Sequence, residues 1–150
     1  LNFGDPDVLR CSEIYKKSNQ NCHKAIQFVR FQKTSDGIYF APISPDFNVI
    51  SLVANHFKNR YADQPWIIYD TKRKFGLYYN LHKIEEITFT EDPVSESGKL
   101  KAEQMDADEL LYQQMWKDYF KTMAIKQRIN LKLQRQHMPV RYWKYLTEMQ

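Results

Sequence analysis

From residue 112 onward the apolar residues fall three and four apart. Tyr112, Met115, Trp116, Tyr119, Phe120 and Met123 form one continuous stripe at helical spacing. A strand, with its period of two, cannot present that pattern on one face. The stretch therefore reads as an α-helix with those residues inward and Gln113, Lys117 and Lys121 toward solvent. Asp106, followed three residues later by Glu109, makes a capping-box-like start, and Asp108 adds favourable charge to the first turn. Past Ala124 the phase slips: the same stripe would bury Lys126, Gln127 and Asn130 and expose Ile125, Ile129 and Leu133. A break near Arg128–Asn130 repairs this, with Asn130 capping a second helix. Pro139 suits the first turn of a third. In that helix Tyr142, Trp143, Leu146 and Met149 face inward, and Arg141, Lys144 and Glu148 face out. A Lys144–Glu148 pair is expected to add only about 0.3–0.5 kcal/mol. Trp116 and Trp143 read as core residues joining this helical end to the rest.

Upstream, helical and alternating patterns are mixed. Asp5-Pro6-Asp7 is a helix start. Val8, Cys11, Ile14 and Tyr15 keep helical spacing, and Cys22, Ala25 and Ile26 resume it after a polar interruption at Lys16–Asn21. Gln27–Gln32 alternates and reads as a strand. Thr34–Gly37 is hairpin-turn chemistry, followed by a strand over Ile38–Ile43 that Pro42 places at an edge or near its end. Val49, Val53, His56, Phe57 and Arg60 define a short helix. Pro65–Asp70 is the next strand, Thr71–Phe75 a basic turn, Gly76–Leu81 its partner, and Ile84, Ile87 and Phe89 a fifth strand. All connections but one are short hairpins, so the sheet is expected to be antiparallel. The predicted fold is α+β: an antiparallel sheet of about five strands, an N-terminal helix, one inserted helix and a C-terminal three-helix subdomain.

Charge divides the chain in the same place. Residues 116–150 carry a net +6 while the whole chain carries +4. Residues 85–109 carry −7, and Pro93–Gly98 has loop composition. The expected organisation is helix plus sheet over 1–90, an acidic linker over 91–105, and a basic helical subdomain over 106–150 packed on the sheet. An excess this local is an electrostatic footprint whose first candidate partner is a polyanion. The competing readings are an ordinary solvated face and neutralisation by the acidic belt.

Other classes find less support. At 150 residues a chain can bury about 70% of its unfolded surface, so no staple is required. There is no Gly-rich phosphate loop, Gly-x-Ser-x-Gly, His-Glu-x-x-His or zinc cysteine pattern, and neither a metal nor a cofactor is expected. Cys11 and Cys22 lack Cys-x-x-Cys spacing and read as reduced thiols in a cytoplasmic protein. No apolar run is long enough to span a bilayer. The chain opens on Leu1 rather than methionine, as a piece of a longer protein would.

The candidate acids and bases are His23, His56 and Asp70. His56 and Arg60, one helical turn apart, suit either a phosphate clamp or a plain polar edge. Arg30 can pair with a carboxylate such as Asp70 or hold a ligand. Together with Arg30 and Arg60, the donors Arg128, Asn130, Lys132, Arg135, Arg141 and Lys144 are of the kinds that phosphates and base edges accept.

The runs Trp116–Phe120 (WKDYF), Ile125–Asn130 (IKQRIN), Leu133–Pro139 (LQRQHMP) and Arg141–Glu148 (RYWKYLTE) resemble a bacterial domain of unknown function at the end of "probable DNA metabolism" proteins. Phe28–Phe31 (FVRF), Gly37–Ala41 (GIYFA), His56–Arg60 (HFKNR) and Pro65–Asp70 (PWIIYD) are similar to the same family, in the same order. The resemblance spans the chain from about Asp5, and family members look longer at the N-terminus. Leu131 departs from it, since relatives often carry proline there. The resemblance implies association with DNA repair, because the domain is found fused to uracil-DNA glycosylases and relatives are paired with a radical S-adenosylmethionine protein. The expected function is a DNA-associated accessory or repair factor that binds nucleic acid through the basic helical end. The alternatives are a glycosylase-like or nuclease enzyme, and a docking module for a repair enzyme.

Overall fold

Asp5 Oδ1 accepts from the Asp7 N–H at 2.9 Å and Pro6 occupies the first turn, so helix α1 starts where the sequence places it, at Pro6. The computed structural model describes residues 4–150, with Leu1 outside the described residues. Helix α1 (Pro6–Phe28) runs through the polar stretch without a break. Asn21, at the end of that stretch, is buried: Nδ2 donates to the Lys17 carbonyl and Oδ1 accepts from the Asp46 N–H. Only from Asn21 onward does α1 bury residues, and Leu9, Ile14 and Tyr15 are exposed. The strand expected over Gln27–Gln32 is mostly absent. Asn21, Ala25 and Phe28 share one helical face, and burying it carries α1 through the alternating residues. Only Gln32–Lys33 remain as strand β1.

The other strands are β2 (Tyr39–Ile43), β3 (Trp66–Asp70), β4 (Phe75–Tyr79) and β5 (Ile84–Ile87), and they form a sheet in sequence order. Phe89 lies outside β5 and packs edge-on against Phe40 and Tyr69. Three of the four pairings are antiparallel, as expected. The β2–β3 pairing is parallel, because helix α2 (Ile50–Arg60) carries the chain back to the same end of the sheet. Strand β1 stops short of Pro42, so this proline has a partner strand on one side only. Gly37, at φ +80°, makes the hairpin between β1 and β2.

Strand β3 is covered on both faces, which explains its unbroken apolar run. Trp66 and Ile68 pack with Val29, Val53 and Phe57 under α1 and α2. Tyr69 packs with Phe40 and Leu100 on the opposite face. Leu100 belongs to the stretch expected to be a solvated linker. That stretch is instead laid on the sheet: the Leu100 N–H donates to Gln32 Oε1 at 3.2 Å, and Val94, Leu100 and Met105 make isolated bridges or buried contacts. Gly98 adopts φ +83°, and a Cβ there would meet the Lys144 carbonyl at 3.1 Å.

Helices α3 (Glu109–Met123) and α4 (Leu131–His137) follow. Asn130 caps α4, its side chain accepting from the Leu133 N–H at 3.0 Å. After Pro139 the expected third α-helix is replaced by two 3₁₀ segments, Val140–Tyr145 and Thr147–Met149. Their i→i+3 bonds bring Tyr142 and Leu146 against Phe28, with Trp143 and Met149 partly buried beside them.

The largest correction concerns α3, whose apolar stripe faces solvent. Trp116 is 42% exposed and Met123 63%, while Glu109 and Gln113 are only 8% and 7% exposed. The cause is the sheet edge. Glu109 Oε2 accepts from the Lys33 N–H at 2.9 Å, the Asp106 N–H donates to the Lys33 carbonyl, and Gln113 Nε2 holds Glu109 Oε1. The Glu109 carboxylate therefore satisfies β1 rather than reaching back to cap its own helix. Unpaired edge groups are costly to bury, and satisfying them sets the roll of α3.

Candidate functional site

The helical end presents cations and apolar groups side by side. Lys121, Lys126, Arg128, Lys132 and Arg135 are exposed, Lys117 is half-buried, and none of the six forms an ion pair among the described residues. The acidic belt does not neutralise them. Three of its nine carboxylates pair with lysines upstream of the helical end, Lys33 with Asp106, Lys74 with Asp92 and Lys83 with Glu85, and among the described residues none pairs with these six cations. Burial and the nearby charge of Lys117 hold the Lys99 ammonium below its ordinary range. Leu110, Tyr112, Tyr119, Ile129, Leu131 and Leu133 lie exposed among these cations.

The other expected nucleic-acid contacts are placed differently. Arg141 bonds Asp46 at 2.5 Å and lies 4.9 Å from the Tyr142 ring. Lys144 sits 4.9 Å from the Tyr145 ring. Arg60 is exposed on the last turn of α2, 5.9 Å from the Tyr61 ring. Asn130 is the α4 cap.

Arg30 is not in a strand and does not pair with Asp70. It follows α1, and its guanidinium bonds Glu148 Oε1 at 2.6 Å and Oε2 at 3.3 Å, with Nη1 donating to the carbonyls of Gln27 and Val29. Glu148 was expected on the outer face, paired with Lys144. Its side chain is only 2% exposed, and it also accepts from Trp116 Nε1 at 3.0 Å. Burial pushes the Glu148 carboxyl up, but the bonds from Arg30, its own backbone N–H and Trp116 outweigh this and hold it below the usual carboxylate range.

The candidate acids and bases do not converge. His23 is exposed on α1 and His56 on α2, the latter ring standing edge-on to Phe57. Asp70 is fully buried at the end of β3. Its Oδ1 accepts from the N–H groups of Lys72 and Arg73, and its Oδ2 from Arg73 Nη1 at 2.7 Å, which closes the turn into β4. Among the described residues no group of three or more His, Cys, Asp or Glu side chains is arranged to hold a metal.

Arg30 does line a cleft, together with Phe31, Tyr39, Tyr61, Gln64 and Trp116, with a volume of about 460 Å³. A second hollow of about 470 Å³ shares Arg30, Phe31, Tyr39 and Trp116 and adds Glu109 and Gln113. Neither contains His23, His56, Arg60 or Asp70. Nothing local in the sequence marks Gln64 or Tyr61 as neighbours of Trp116, or turns Glu148 inward toward it.

Fold and surface together define an α+β domain with an aromatic cleft at the base of a cationic helical end. A family model matches residues 1–148, and the chain belongs to that family, described as a domain of unknown function (DUF4130). Neither the curated proteins nor the solved structures give a match. Among the described residues no helix is long and apolar enough to cross a membrane.

Proposed function

We propose that this protein is a DNA-associated accessory or repair factor whose helical end holds a nucleic-acid backbone. The observation that carries the reading is the set of six cations from Lys117 to Arg135 that form no ion pair among the described residues, beside a belt of opposite sign none of whose carboxylates pairs with them. Uncompensated positive charge on adjoining helices attracts a polyanion and releases its counterions on contact. Lys132 and Arg135 on α4 and Arg128 before it act as phosphate donors. Resemblance to domains fused to uracil-DNA glycosylases supports DNA over other polyanions, and a cytoplasmic location accompanies that role.

The test is binding to single- and double-stranded DNA over a range of salt. Affinity is expected to fall steeply, with a log–log slope of about −0.7 to −0.9 per phosphate contact. Lys132→Ala and Arg135→Ala should each reduce the slope by about one. A slope near zero, or no binding at low salt, overturns the reading.

A second reading rests on the exposed apolar stripe of α3. Contiguous apolar surface of this kind marks interaction sites, and it favours a docking module for a repair enzyme such as a glycosylase or a radical S-adenosylmethionine protein. Salt-insensitive capture of such a partner, lost when Met115 and Met123 are changed to Gln, would favour docking over DNA contact.

A further inference from the structure

The cleft beside Trp116 contains chemistry that backbone contact does not use. Its most deeply buried lining residue, Trp66, is 1% exposed, and its Nε1–H has no hydrogen-bond partner among the described residues. An indole N–H buried without an acceptor is rare and costly. Nor do the Gln64 amide and the hydroxyls of Tyr39 and Tyr61 make any hydrogen bond among the described residues. These polar groups are unspent within a single aromatic cleft.

The rings around them are held in place. Phe31 meets Phe57 and Tyr61 edge-on, at 5.9 and 5.3 Å. Trp116, although exposed, is fixed by its Nε1–H bond to Glu148 and by stacking on Tyr119 at 5.7 Å and 30°. The Glu148 carboxylate is itself clamped by Arg30. An exposed tryptophan held in one orientation is pre-organised, so a ligand ring stacking on it loses little further freedom.

The lining selects among ligands. Free phosphate is disfavoured, because four of the five Arg30 N–H donors are spent on Glu148 and two backbone carbonyls, while Glu109 lines the adjoining hollow. A flat neutral heteroaromatic ring fits. It offers π faces to the aromatic walls and mixed donors and acceptors for the Gln64 amide and the Tyr39 and Tyr61 hydroxyls. Trp116 belongs to α3, the first helix of the basic end, so one wall of the cleft is part of the same basic helical end. Resting on the nucleic-acid reading above, we propose that this cleft takes one unstacked nucleobase from the strand that the basic helical end holds.

Two titrations test it. Thymidine and deoxyadenosine, which carry no phosphate, should quench the protein's tryptophan fluorescence saturably, and Trp116→Leu should abolish most of that change. Oligothymidylate should bind more tightly than its abasic counterpart. Gln64→Ala and Trp116→Leu should each weaken oligothymidylate binding about tenfold, leaving the abasic chain's affinity and the salt slope unchanged. Circular dichroism melts of both variants establish that each is folded. Equal binding of the two chains, unaffected by either variant, would overturn the cleft inference and leave backbone contact standing. If nucleosides quench but neither chain binds at low salt, the nucleic-acid reading fails and the strand-borne form of the inference fails with it.

Discussion

Trp66 and Trp116 are the same residue in opposite settings. Trp66 lies in the middle of the sheet, among the rings of Phe57 and Tyr79, with an indole N–H that finds no acceptor among the described residues. Trp116 lies on the helical end, exposed, with its N–H bonded to a buried carboxylate. In the sheet, apolar contact outweighs an unmet polar group. At the helical end, polar anchors outweigh apolar burial: Glu109, Gln113 and Glu148 turn inward and the rings of Tyr112, Trp116 and Tyr119 turn outward. The difference shows that amphipathicity states which residues share a face of a helix. What lies opposite decides which face is buried.

The contrast predicts a gradient of effects. Trp66→Ala should cost about 3–5 kcal/mol in denaturant unfolding, whereas Trp116→Leu should change stability far less. Equal losses would mean that the helical end is as much a part of the core as the sheet.

Glu148→Gln should come next, at about 1.5–3 kcal/mol, because it weakens charged hydrogen bonds to Arg30 while keeping the shape. The folded-state pKa of Glu148 lies below its ordinary 4.5. Its contribution is therefore complete above pH 4.5 and is lost as pH falls through the folded value. Wild-type and Glu148→Gln stabilities should converge in acid. A gap unchanged between pH 7 and pH 3 would show that the carboxylate is not what holds Arg30.

Asn130→Ala should cost about 1 kcal/mol by removing the α4 cap. Hydrogen exchange should place that loss in α4, with the protection of β3 and β4 unchanged. Smallest of all, Met123→Gln should shift stability by no more than about 0.5 kcal/mol, as expected for an exposed position. A drop of several kcal/mol would mean that the stripe is covered in solution.

Local chemistry by itself determined a good deal. Pro6 after Asp5 starts α1, Gly37 makes a hairpin, Pro65–Asp70 is a strand, and Asn130 starts a helix after a break in phase. Each of these depends on neighbours within a turn or a pleat, where steric and hydrogen-bonding preferences act directly. The tertiary structure decided the rest. It gave Gln27 and Phe28 to α1 because Phe28 continues the buried helical row of Asn21 and Ala25. It made β2 and β3 parallel because α2 crosses over, and it laid Leu100 on the sheet. It rolled α3 outward because an edge N–H at Lys33 needed the Glu109 carboxylate, 76 residues away. It also joined Arg30 to Glu148 across 118 residues and set Gln64 beside Trp116. A sequence pattern records what each residue does with its neighbours in the chain. A cleft is made by residues with no local reason to meet, brought together by the apolar surface and the edge groups that the whole fold must satisfy.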